Sequence, residues 1–153
     1  MPKKCKFLIA ILFFALSGFS SVAEENRFAV AGIGDPQQVQ IFFERIQRDV
    51  RVGDRKNLAE IINYPLNFFD DKGRHVKVRS ARDFKLNYEK IFTKTVREVI
   101  LRQKYSDLFV NYQGVMIGRG VIWFGKVGRS GNVNDKTYVM RIYTVNSNPT
   151  YVK

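Results

Sequence analysis

The apolar residues of this chain change their spacing once, and that change limits the folds open to it. Up to about residue 107 they recur every three or four positions; beyond it they fall in short runs rich in β-branched and aromatic residues, punctuated by glycines. Helical spacing followed by strand-like runs places helices early and strands late, the order of an α+β domain. The 153 residues are 45% hydrophobic, enough for one core, and no repeat or linker divides them.

The first helix is signalled at both ends. Asp35 stands as N-cap, Pro36 at the first helical position and Gln38 where a capping box needs it. Val39, Phe42, Phe43, Ile46 and Val50 then form one stripe, Glu44, Arg45, Gln47, Arg48 and Asp49 fill the other face, and Gly53 supplies a stop. Asp54 caps a second helix bearing Leu58, Ile61 and Ile62, with Pro65 as its terminator. An extended stretch over 66–69, the turn Asp70-Asp71-Lys72-Gly73 and alternation over 75–78 predict a hairpin. Ser80 with Asp83 opens another helix carrying Phe84, Tyr88, Ile91 and Phe92. Thr93 can cap a further turn or two, although 96–101 suits a strand equally well. Residues 108–112, 115–117, 121–124 and 138–145 read as strands, with Gly118-Arg119-Gly120 as a tight turn and 126–136 as a polar loop. The expectation is α+β, with N-terminal helices packed on a curved antiparallel sheet.

Before this domain stands an address. Lys3, Lys4 and Lys6 precede an apolar run over 7–16, and Ser21 and Ala23 occupy the places a signal peptidase reads. The run is too short for a spanning helix, which needs about 20 residues. We expect residues 1–23 to be a signal peptide cleaved after Ala23, 24–34 a flexible leader and 35–150 a single domain, in a periplasmic protein. Cleavage would leave 130 residues, remove Cys5, the sole cysteine, and, with three lysines gone, take the net charge from +12 to +9.

The stretch from Val39 to Pro65, with its amphipathic helix, Gly53-Asp54 and short Leu/Ile helix, resembles the opening of NTF2-like proteins. The helix from Ser80 to Phe92 followed by strands is similar to the same superfamily's later half. The resemblance covers about 110 residues and rests on pattern. It implies a cone-shaped fold that hosts isomerases, dehydratases, secretion-system parts and binding modules, the enzymes among them placing an Asp and a Tyr inside the cone.

Chemistry has few residues to draw on. His75 is the only histidine, so HExxH motifs and histidine clusters are excluded, and a Ser-His-acid triad would have to use it. The pair Asp70-Asp71, beside Lys72-Gly73-Arg74, reads as a solvated turn and not a Ca²⁺ site. No cofactor and no metal are expected. Asp83, Glu89, Asp107, Tyr64, Tyr88 and Tyr112 are the groups open to general acid–base work, but Asp83 reads better as a cap and Asp107 as a turn residue.

Two sets of residues remain as candidates for binding. Tyr64, Tyr88, Tyr112, Gln113 and Trp123 can line a pocket or an interface. Arg48, Arg51 and Arg55 border the first two helices, and Arg74 and Arg79 border the hairpin. A basic surface draws anions through its long-range field. Export argues against nucleic acid, so the expected partner is an envelope protein or an anionic envelope component, and no transmembrane segment follows the signal. A homodimer stays open. The expected function is a small exported binding or accessory protein without catalytic activity, of inhibitor or immunity type; the alternatives are a cofactor-free isomerase or hydrolase and a carrier of a small ligand in the cone.

Overall fold

The computed structural model of the chain describes residues 25–128 and 137–147, so the signal peptide expected over 1–23, most of the polar loop and the last residues of the expected domain lie outside the described residues. The described chain is α+β: five helices packed against a six-stranded mixed sheet.

Helix α1 (Pro36–Val52) begins where the sequence places it. Asp35 accepts a hydrogen bond from the Gln37 amide, Pro36 holds N1, and Gly53 closes the helix at φ 69°. The Asp35 side chain bonds the second helical amide, so this is a simple N-cap without the reciprocal glutamine bond of a capping box. Asp54 caps α2 (Arg55–Glu60) through the Asn57 amide. Hairpin strands β1 (Ile62–Phe69) and β2 (His75–Val78) follow. The expected helix over 80–92 is broken at Asn87 into α3 (Ala81–Leu86), capped by Ser80, and α4 (Tyr88–Ile91). The ambiguous stretch after Thr93 is helical, as α5 (Lys94–Arg102): Thr93 caps it, and Val96 and Ile100 are buried on one face. A meander of β3 (Phe109–Asn111), β4 (Gly114–Ile117), β5 (Ile122–Gly128) and β6 (Tyr138–Asn146) completes the fold.

Three expectations are corrected. The sheet is not wholly antiparallel. Its order is β2-β1-β6-β5-β4-β3, and β1 runs parallel to β6. The hairpin and the meander are each antiparallel, but they join at β1 and β6, and side-chain alternation has the same period in either direction. Strand β1 also starts before Pro65, at Ile62. Its register against β6 shifts between Ile62 and Asn67, so Pro65 sits in an irregular stretch where a missing amide is tolerated. Residues 25–34 are not a loose leader. Asn26 caps a 3₁₀ turn over Arg27–Ala31 that buries Phe28, and Ile33 is buried beyond it. Arg27 ties the turn to the carbonyls of Tyr105 and Ser106 at 2.6 and 2.8 Å. The short apolar stretch over 28–33 has neither a helical nor a strand period, and its order depends on contacts with Tyr105, far along the chain.

The register sorts the sheet into two faces. One row runs Ile117, Ile122, Val145, Phe68, Val76 across five strands, and the first four are buried under the helices. Phe42 of α1 meets Phe124 of β5 on this face at 5.3 Å between ring centroids. The space between α1, α4 and the sheet is filled by side chains: Phe42, Phe43, Ile46, Phe84, Phe92 and Phe124 are 0–7% exposed. On the opposite face a row crosses all six strands: Phe109, Met116, Trp123, Thr144, Asn67, Lys77. It passes from aromatic at the β3 edge to cationic at the β2 edge.

Candidate functional site

Beside the β2 edge the hairpin and the α3–α4 segment enclose an open groove of about 750 Å³. Each part of the sequence contributes a layer. The inward alternation of the hairpin supplies the apolar floor, Phe68, Val76 and Val78, and α4 adds Ile91. The turn and outward positions supply cations: Lys72, Arg74, Lys77 and Arg79, joined by Lys90 from α4. Asp70, Asp71 and Asp83 also line it.

The charges are not equivalent. Asp70 accepts from the Lys72 and Arg74 amides at 3.0 and 2.8 Å and from Arg74 Nε at 2.7 Å. Partial desolvation pushes its carboxyl up, but those bonds to Arg74 and Lys72 outweigh it and hold the group below its ordinary range. Asp70 and Arg74 therefore organise the turn. Among the described residues Lys72, Lys77, Arg79 and Lys90 make no ion pair, so four cations surround an apolar floor with Asp71 and Asp83 as the other acids. His75 bonds Asn67 Oδ1 at 3.1 Å and packs on Phe69 at 5.1 Å, at the outer side of the hairpin.

The basic residues expected on the helices do other things. Arg48 and Arg45 reach Asp49, at 3.0 and 3.6 Å. Asp49 is 1% exposed: its charge suggests the solvent face, but it follows Phe42 by seven residues and so sits at the edge of the buried stripe. Arg48 thus neutralises a buried acid. Arg55 pairs with Glu89 at 2.6 Å and lies 4.8 Å over the Tyr88 ring, tying α2 to α4. Arg97 reaches the other Glu89 oxygen at 2.7 Å. This hydrogen bond, above all, keeps the Glu89 carboxyl below its usual range, so Glu89 is a fixed anion and not a poised base. Arg51 is exposed at the end of α1.

The aromatic candidates do not gather around one cavity. Tyr64 is half-buried on β1, donates to the Ala59 carbonyl at 3.0 Å and has its pKa pushed up to about 12, by burial first and then by the Asp83 charge. Tyr88 is 2% exposed, stacks on Phe92 at 5.6 Å, and its hydroxyl has no hydrogen-bond partner among the described residues. Burial raises its pKa, against the opposing charge of Arg97. Tyr112 and Gln113 form the exposed β3–β4 turn, Tyr112 being 80% exposed. Trp123 is half-buried on the outer face, edge-on to Phe109 at 6.4 Å. Asp107 is exposed and accepts from Ser106 Oγ at 2.7 Å. Of the groups open to general acid–base work, Tyr88 and Glu89 share α4 and Asp83 of α3 acts on Tyr64 of β1, whereas Asp107 precedes β3 and Tyr112 stands on the β3–β4 turn.

One residue of consequence escaped the sequence reading. Tyr143 is the extra residue where the β5–β6 register shifts between Trp123 and Phe124. Its hydroxyl donates to the Gln113 carbonyl and, at 3.4 Å, to that of Phe124. Burial pushes its pKa up to about 12. A bulge is set by pairing between distant strands, which no local spacing shows.

Among the described residues no group of three or more His, Cys, Asp or Glu side chains could hold a metal ion, and no helix is long and apolar enough to cross a membrane. Comparison with known proteins finds no matching family model, curated protein or solved structure.

Proposed function

We propose that this chain is an exported, non-enzymatic binding protein of NTF2-like type, and that it engages an anionic partner protein of the cell envelope through the groove at the β2 edge. The observation that carries the reading is the groove itself: Lys72, Lys77, Arg79 and Lys90, free of ion pairs among the described residues, stand around Phe68, Val76, Val78 and Ile91. Cations alone suit any solvated surface. Cations around an apolar floor suit a segment that carries both carboxylates and side chains to bury. A protein fits this better than a purely anionic polymer, which has nothing to place on the floor.

The filled interior supports binding over catalysis, since the residues that would line a cone pocket pack against one another instead. The NTF2-like reading is supported by the element order, two helices, hairpin, helices and meander, and by the packing of α1 against the sheet. Export is supported by the lysines, apolar run and Ser21/Ala23 pair at the N-terminus.

The test compares capture of envelope proteins by wild type, by Lys77→Glu with Arg79→Glu, and by Arg51→Glu, at low and high salt. Wild type and Arg51→Glu should retain the same partner at low salt and lose it at high salt, and the groove variant should fail in both. Equal retention by all three would refute the groove as the site.

A further inference from the structure

Strand β2 ends the sheet, and the pattern of its main-chain bonds shows which groups it leaves unpaired. The Asp70 amide donates to the Arg74 carbonyl at 3.1 Å, which fixes the phase of the β1–β2 ladder. Bonded pairs alternate along an antiparallel ladder, so Val76 and Val78 spend their amides and carbonyls on Phe68 and Leu66, their register partners. The Phe69 carbonyl agrees with this phase, because it accepts from Ser147 on the β6 side at 2.8 Å. The amides and carbonyls of His75 and Lys77 therefore point away from the sheet, along the groove. Among the described residues nothing bonds to them.

Both faces of the sheet also stop short here. The inner row ends on Val76, which is 43% exposed although its row neighbours Phe68, Val145 and Ile122 are 0–6% exposed. The outer row ends on Lys77, with Arg79 two residues on.

We propose, resting on the binding reading above, that the partner docks by strand addition: an extended segment pairs with the free edge of β2 as a seventh strand. Side chains on an added strand continue the two rows, because they alternate between faces. The residue beside Val76 would be apolar and would cover the exposed valine. On the other face, the residues beside Lys77 and Arg79 would be acidic. The occupant is thus an extended segment of alternating apolar and acidic residues. A second copy of this chain is a poor occupant, because an antiparallel β2–β2 pair centred on Lys77 or Val78 would set Lys77 against Lys77 or Arg79 of the other copy, and like charges across a ladder repel.

The experiment uses protein purified from cells expressing the full-length sequence and a fluorescein-labelled peptide of alternating Glu and Val. Two further peptides of the same sequence are N-methylated at alternate amides, one in each phase, which keeps every charge and removes the ladder donors of one edge at a time. We expect the unmodified peptide and one methylated phase to bind, the other phase to bind at least about tenfold more weakly, and the Lys77 amide to gain protection from hydrogen exchange with the two that bind. Equal binding by all the peptides would overturn strand addition and leave the charged groove standing. No binding by any of them would overturn both. Binding with protection on β3 in place of β2 would overturn the assignment to this edge.

Discussion

Replacing Gly114 by alanine tests how the β3–β4 hairpin is joined to the rest of the sheet. Gly114 opens β4 at φ 137°, a conformation that side-chain-bearing residues rarely adopt. A Cβ there would overlap the Tyr143 hydroxyl and come within 2.7 Å of the Phe124 carbonyl oxygen. The backbone term costs about 1–3 kcal/mol, and forcing apart two packed strands costs about 1–3 kcal/mol more. Gly114→Ala should therefore destabilise the domain by about 2–6 kcal/mol in a urea titration. Tyr143→Phe alone should cost about 1 kcal/mol, because it removes the hydroxyl from the Gln113 and Phe124 carbonyls. Combined with Gly114→Ala it also removes the nearest overlap, so the double variant should be less destabilised than the sum of the two by at least about 1 kcal/mol. A loss under about 1 kcal/mol for Gly114→Ala, or plain additivity, would refute the claim that Tyr143 and Gly114 share one space.

Phe43 is 3% exposed on the inward stripe of α1, so Phe43→Ala should cost about 3–5 kcal/mol in the same titration, and a loss below about 1 kcal/mol would mean that this face is not core. Stability should also fall in alkali. Tyr64 and Tyr143 keep their protons in the folded state up to about pH 12, whereas the unfolded chain releases them near pH 10.0, so the folded state binds more protons in between and loses stability as pH rises through that window. Urea midpoints measured from pH 9 to 12 should drop less steeply for Tyr64→Phe with Tyr143→Phe than for wild type; identical slopes would count against the assignment.

Local signals were legible where the chemistry is local. The caps at Asp35, Asp54, Ser80 and Thr93, the stop at Gly53 and the inward stripe Phe42-Phe43-Ile46 all depend on residues within a turn or two of one another. Features that depend on distant strands were not. The parallel join of β1 to β6, the bulge at Tyr143 and the burial of Phe28 each bring together residues far apart in the chain, and periodicity carries no information about that. Asp49 shows the limit within a single helix. Its charge marks it as solvent-facing, but it lies seven residues after Phe42, at the edge of the inward stripe, and Arg45 and Arg48 on the same helix pair with it there. The candidate site divides in the same way. Arg74 and Arg79 were legible as basic residues beside a turn, but the groove they share with Lys90 needs α4 to fold back against the hairpin.

The central claim, that the groove at the β2 edge holds a partner, is tested most directly by placing a photo-crosslinking residue at single positions of the full-length sequence expressed in cells. Positions 77 and 79 border the groove, 51 lies at the end of α1, and 112 is at the opposite sheet edge, on the β3–β4 turn. The account predicts one adduct of the same mass from 77 and from 79, lost when Lys72 and Lys90 are both changed to Glu, and no adduct from 51 or 112. Adducts from 112, or none from 77 and 79, would contradict it.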